Sequence, residues 1–214
     1  MSTNIADFSE AFSQLGEHSK RHLPFIGLFR THVHAGMLGM FPLIDDDKER
    51  LYSELMGEII DTDKWKSILE EARAVGLLSH LEGMTYRFEK SSAPISEKWA
   101  ELAGADRAAQ FDREFVRFYA MWAGAMRAKL GENQPPTFRA VEIEADNLKR
   151  AIRISIEQEM LPEAEELLRL LRSFYSINSA ADQWEMIRAN VHGLIKGRKA
   201  IEENKFLDKV LARF

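Results

Sequence analysis

Four of the six histidines fall between His18 and His34, and they are the first residues whose type and spacing could do chemistry. His32-Val33-His34 sets two imidazoles on one side of an extended segment, a spacing that metal sites use. With His22 and one of Asp45, Asp46 or Asp47 they sketch a zinc or nickel site. Neither a cysteine nor a His-Glu-x-x-His helix accompanies them, so the preferred reading is surface histidines at helix ends. Asp45-Asp46-Asp47 lacks the glycine and the distant bidentate glutamate of a calcium loop. Acidic side chains favour a helix N-terminus, and the triplet is read as capping a helix that starts at Lys48.

Other candidates reduce in the same way. Glu142, Glu144 and Asp146 could pair carboxylates for hydrolysis, but they alternate opposite Val141, Ala145 and Leu148, which makes them a solvated helix face. No serine sits in a Gly-x-Ser-x-Gly context. Phe111, Phe115, Phe118, Trp122 and Met126 could line a ligand pocket, yet their steps of three and four residues mark the buried seam of a helix. The expectation is a protein that is not an enzyme, with no catalytic residue, no cofactor and no metal.

Composition narrows the class. The chain has 214 residues, 29 basic and 34 acidic side chains, no cysteine, and a net charge of −5. Thiol chemistry, disulfides and thiolate metal centres are excluded. With 45% apolar and 10% aromatic residues, a real core can be buried. The acidic balance argues against generic nucleic-acid binding. No apolar run reaches the roughly 18–20 residues of a membrane span, and no basic-then-apolar leader opens the chain. The expected location is the cytoplasm.

The elements that would position these side chains are mostly helical. Phe8, Phe12 and Leu15 predict a short helix ending near Gly16. The apolar run Leu23 to Phe29 predicts a second, buried one, with Pro24 in its first turn. Leu51, Leu55 and Ile59 form one stripe, and Trp65, Ile68, Leu69 and Ala72 another, capped by Asp61 or Thr62 and closed by Gly76. Leu77 to Leu81 and Thr85 to Glu89 around Glu82-Gly83-Met84 read as a β-hairpin, the one convincing strand signal. Three helices and a hairpin outline a winged-helix module. The polar break Lys90 to Pro94 marks a boundary between residues 1–92 and 93–214.

Beyond Ala105 the pattern is helical to the end. Gly131 to Pro136 closes the aromatic helix, and Val141, Ala145, Leu148 and Ile152 define the next. Leu161-Pro162 opens one carrying Ala164, Leu167, Leu168, Leu171 and Phe174. Asn178-Ser179 breaks it before Trp184, Ile187, Val191 and Leu194. Lys196-Gly197 precedes a last helix over Ile201 to Phe214. Short-turned helix pairs suggest a tetratricopeptide-like array, and Leu148 to Trp184 lies near the repeat's period of about 34 residues. The repeat's small and aromatic signature positions are mostly missing. The predicted fold is therefore mainly α: a winged-helix module followed by a tetratricopeptide-like helical array.

Leu23-Pro24-Phe25-Ile26-Gly27-Leu28-Phe29-Arg30, then Val33-His34-Ala35, resembles the winged-helix segment of bacterial STAND, or NB-ARC-like, signal-transduction ATPases. The resemblance continues through Trp65 to Ala72, Val75 to Leu78 and Tyr86-Arg87-Phe88. It resumes at Glu144-Ala145-Asp146-Asn147-Leu148 with Ala151-Ile152, covering residues 5–195. The family's Gly-x4-Gly-Lys-Ser/Thr phosphate cradle is absent, and Glu89 stands where the family tends to place a nucleotide-sensing histidine. The resemblance implies the regulatory and scaffold part of a switch, whose partner is a protein or a fused ATPase or effector domain.

The alternative is a winged-helix transcription regulator reading DNA with the helix Asp63 to Ala74. Its exposed face would carry Lys64, Lys66, Glu70, Glu71 and Arg73, and the wing tip Glu82-Gly83 adds no cation, leaving Arg87 and Lys90 as recruits. Two acids among those five would repel phosphate, so nucleic acid is not the expected partner.

Overall fold

A computed structural model describes residues 5–43, 46–132, 134–196 and 211. The chain is mainly helical with one small antiparallel sheet, and it divides into two compact units, one running to Gln110 and one beginning at Phe111.

The first unit starts with α1 (Ile5–Ser13), α2 (Glu17–His22) and a 3-10 helix (Leu23–Leu28). The sequence read the run from Leu23 as an ordinary buried helix. It is buried throughout but winds as a 3-10 turn with Pro24 near its start. A fully apolar run has no polar face from which to read the type of helix.

β1 (His32–His34) and α3 (Ala35–Met40) follow, then a 3-10 turn (Phe41–Leu43), α4 (Asp46–Met56) and α5 (Thr62–Ala74). Asp61 is the cap of α5, its carboxylate accepting from the Lys64 N–H at 2.8 Å. The helix closes at Gly76, whose φ of 78° is the left-handed conformation glycine favours, with the Leu77 N–H donating to the Ala72 carbonyl at 2.9 Å.

The hairpin is β2 (Leu78–Glu82) and β3 (Thr85–Phe88), turning at Gly83. The sheet holds a third strand at the segment read only as extended, in the order β1-β3-β2. Val33 stands opposite Tyr86 across the β1–β3 ladder. Three residues are too few to show alternation, and only the open edge of β3 makes them a strand.

α6 (Ala93–Leu130) begins within the polar break expected to mark the boundary and continues past a kink at Gly104, where φ is 71° and ψ is 164°. Its first turns belong to the first unit. Ile95 and Trp99 are buried, and the Ser96 hydroxyl donates to the Gly27 carbonyl at 2.9 Å. A Cβ on Gly27 would stand 2.8 Å from the Ile95 carbonyl oxygen and the Ser96 Cα, so glycine lets the two backbones meet. The core centres on Phe25, whose ring is met by those of Phe41, Tyr52, Trp65 and Trp99.

In the second unit the rest of α6 is followed by α7 (Pro135–Glu157), α8 (Leu161–Ile177) and α9 (Ala181–Ile195). α7 packs on α8 and α9, and α8 on α9. Both turns are built alike. Glu159 (φ 57°) and Ser179 (φ 54°) take the left-handed position, and the next N–H, of Met160 or Ala180, reaches back to Ser155 or Tyr175. This is the Schellman closure on non-glycine residues. The predicted last helix over Ile201 to Phe214 lies outside the described residues except Leu211, which is helical and buried.

Gly27→Ala is expected to lower unfolding stability by about 1–3 kcal/mol through overpacking against Ile95 and Ser96. Urea denaturation checks this, and an unchanged midpoint would show that the two backbones can separate at little cost.

Candidate functional site

The site grows from α2. Its start, Gly16, is extended and offers no side chain to cap the helix. Glu71 of α5 supplies the missing acceptor, taking the Gly16 N–H and the Ser19 hydroxyl. Those two bonds, the Ser19 hydroxyl first, hold the Glu71 carboxyl below the usual range. α2 is thereby fixed to α5, and His18 and His22, four residues apart, share one helix face with ring centroids 4.6 Å apart.

Glu58 arrives from the segment after α4. Gly57 before it has φ 85°, and the Arg21 guanidinium occupies the place a Cβ would take. Lys64 of α5 donates to Glu58 Oε2 at 3.1 Å, and this bond is the main reason the Glu58 carboxyl lies below its ordinary range. The other oxygen, Oε1, faces the imidazoles, 3.2 Å from His18 Nε2 and 3.6 Å from His22 Nε2. Only the first distance is a hydrogen bond.

His22 is 0% exposed, and neither ring nitrogen has a hydrogen-bond partner among the described residues. Burial first, then the neighbouring His18, drives its pKa down from 6.5 to about 4. The Tyr52 hydroxyl is also buried without a hydrogen-bond partner, and burial followed by the Glu58 charge pushes its pKa up.

This arrangement differs from the sequence sketch. His32 and His34 do not join His22: they lie on β1, and His34 Nδ1 accepts from the Met37 N–H at 3.3 Å, capping α3. Asp45 and the side chains of Asp46 and Asp47 lie outside the described residues, and α4 begins at Asp46, two residues before the expected start at Lys48. His22 is not a surface histidine but a buried one. Sequence reasoning missed the pairing of His18 with His22, which the four-residue spacing carries, and it missed Glu58, for which the sequence holds no signal.

A second cluster lies in the second unit. Glu142 and Asp146 are exposed as expected, but Glu144 is buried, accepting from the Tyr119 hydroxyl at 2.6 Å and from the Asn147 amide at 2.7 Å. Burial raises its pKa, while Asn147 and Tyr119 pull the other way. Three polar groups satisfying one another in the core bond α6 to α7. The acids of α5 behave similarly. Glu70 accepts from the Tyr86 hydroxyl at 2.7 Å and from Arg73 at 2.7 Å, and Glu71 holds α2.

Among the described residues no helix is long and apolar enough to cross a membrane. No protein-family model, curated protein or solved structure matches the chain.

Two pH dependences follow. Because the folded pKa of His22 is depressed, its contribution to stability is whole above about 6.5 and is lost as pH falls towards about 4, an effect of up to about 3 kcal/mol. The titratable and charged groups facing it are His18, Glu58, Arg21 and, through Glu58, Lys64. In urea denaturation at pH 7 and pH 5, His22→Leu is expected to flatten that slope, and an unchanged slope would count against it.

Glu144 acts oppositely. A raised folded pKa means its stabilisation is greatest below 4.5 and is lost as pH rises through the folded value. Tyr119→Phe removes a donor from the charged form. It is expected to cost about 1–3 kcal/mol at pH 7 and less near pH 4, read by the same denaturation.

Proposed function

We propose that the protein is a non-catalytic interaction scaffold within a signalling switch. It would relay between a winged-helix-like first unit and a tetratricopeptide-like second unit, with a protein, or an ATPase or effector domain, as partner. The observation that carries this reading is the way the buried polar side chains are used. Buried Glu144 with Tyr119 and Asn147, and half-buried Glu71 with buried Ser19, spend their hydrogen bonds joining helix to helix.

Repetition supports the same reading. The α7–α8 and α8–α9 turns share one hydrogen-bonding scheme, as expected of a chain that stacks helices to offer a surface. In the first unit, helices leading into a hairpin directly after α5 suit a winged-helix module.

The DNA-binding alternative gains little. Of the three cations on α5, Lys64 is bonded to Glu58 and Arg73 to Glu70, which leaves exposed Lys66 and a weak electrostatic footprint for a phosphate backbone.

A photo-crosslinking residue at Ile177 or Met186, large apolar side chains 48% and 51% exposed, tests the scaffold reading in cells. The expected result is a discrete protein adduct from either position, together with no retention of random duplex in gel shifts at moderate salt. Duplex binding that falls steeply as salt rises, with no protein adduct, would replace the scaffold with the DNA reading.

A further inference from the structure

We propose that His18, His22 and Glu58 bind a first-row divalent cation of the zinc type, clamping α2 to the segment that follows α4. One donor atom from each of the three lies within 4.8 Å of the others. Glu58 Oε1 is 3.2 Å from His18 Nε2 and 3.6 Å from His22 Nε2. Donors around a tetrahedral zinc, at bonds of about 2.0–2.1 Å, stand about 3.3 Å from one another. The two edges that include the carboxylate, 3.2 and 3.6 Å, lie on either side of that length.

The surroundings sort the donors. Lys64 takes Oε2 of Glu58 at 3.1 Å and leaves Oε1 to the imidazoles, so the carboxylate is set to bind through a single oxygen. The i, i+4 spacing on α2 points both rings the same way. At the base of the site His22 is 0% exposed, with neither ring nitrogen in a hydrogen bond among the described residues. Native proteins seldom leave a buried polar group so, and a cation on one ring nitrogen supplies the partner. The His18 and Glu58 side chains are 49% and 40% exposed, so the ion enters from solvent and water completes its shell.

Chemistry chooses the class of ion. Two imidazoles and one carboxylate suit zinc, cobalt or nickel, whereas calcium and magnesium require oxygen-rich sets. Arg21, packed on Gly57, and Lys64 add positive charge beside a single carboxylate. An ion held by charge alone gains little there, and selection falls to imidazole coordination. The site requires nothing of the scaffold function, and neither stands or falls with the other.

The test uses the purified protein, stripped by chelation and titrated with Zn²⁺ alone against a chromophoric competitor. One equivalent is expected to bind. His18→Ala and Glu58→Gln, both at the solvent rim, should each weaken binding by at least about tenfold while leaving the far-ultraviolet circular dichroism unchanged. His192→Ala, an exposed position in the second unit, should leave binding intact. Co²⁺ in place of Zn²⁺ should give the intense visible absorption of four-coordination in the parent protein and lose it in both rim variants. No Zn²⁺ bound at micromolar concentration, or binding that survives both rim variants, would overturn the proposal.

Discussion

The ring of Phe25 is the point on which the first unit turns. Its centroid lies 5.1 Å from that of Tyr52, 5.4 Å from those of Phe41 and Trp99, and 5.9 Å from that of Trp65. Those four rings come from the turn after α3, from α4, from α5 and from the start of α6. Edge-to-face and tilted contacts of this kind fix both distance and orientation, and so register four elements against one another. The same register brings Tyr52 and the segment after α4 beside α2, and it anchors α6 on the 3-10 turn that carries Gly27. The geometry at Glu58 is a consequence of that packing.

Around this apolar centre, carboxylates work as fasteners. Glu71 caps a helix that cannot cap itself, Glu70 holds the Tyr86 hydroxyl at the sheet, and Glu144 joins α6 to α7 through Tyr119. Hydrogen bonds to the ionised form hold Glu70 and Glu71 below the usual carboxylate range, whereas burial raises Glu144. Glu58 differs in its partners. One of its oxygens is held by Lys64, and the other is directed at two imidazoles that make few bonds of their own.

Much of the architecture is legible in the sequence wherever a face alternates. Trp65, Ile68, Leu69 and Ala72 are buried as their spacing requires, Asp61 and Gly76 bound α5, and Gly83 turns the hairpin. Legibility ends where a segment has no polar face or is very short. Leu23 to Leu28 is apolar on every side, so its 3-10 winding cannot be read, and β1 exists only because β3 has an edge to fill. The burial of Glu144 has the same origin. Its neighbours Glu142 and Asp146 face solvent, and nothing local distinguishes it from them. What decides its place is the Tyr119 hydroxyl on another helix.

The sequence by itself determined most of the helices, the Asp61 and Gly76 ends of α5, the hairpin, and the lack of thiols and of a Gly-x4-Gly-Lys-Ser/Thr cradle in this sequence, since these depend on residues close together in the chain. Tertiary structure alone decided which histidines meet a carboxylate. His18 and His22 share a face by local geometry, but Glu58 reaches them because aromatic packing and the left-handed Gly57 carry it across the fold. Proximity between residues far apart in the chain is set by how the core closes, and no periodicity of one segment encodes it.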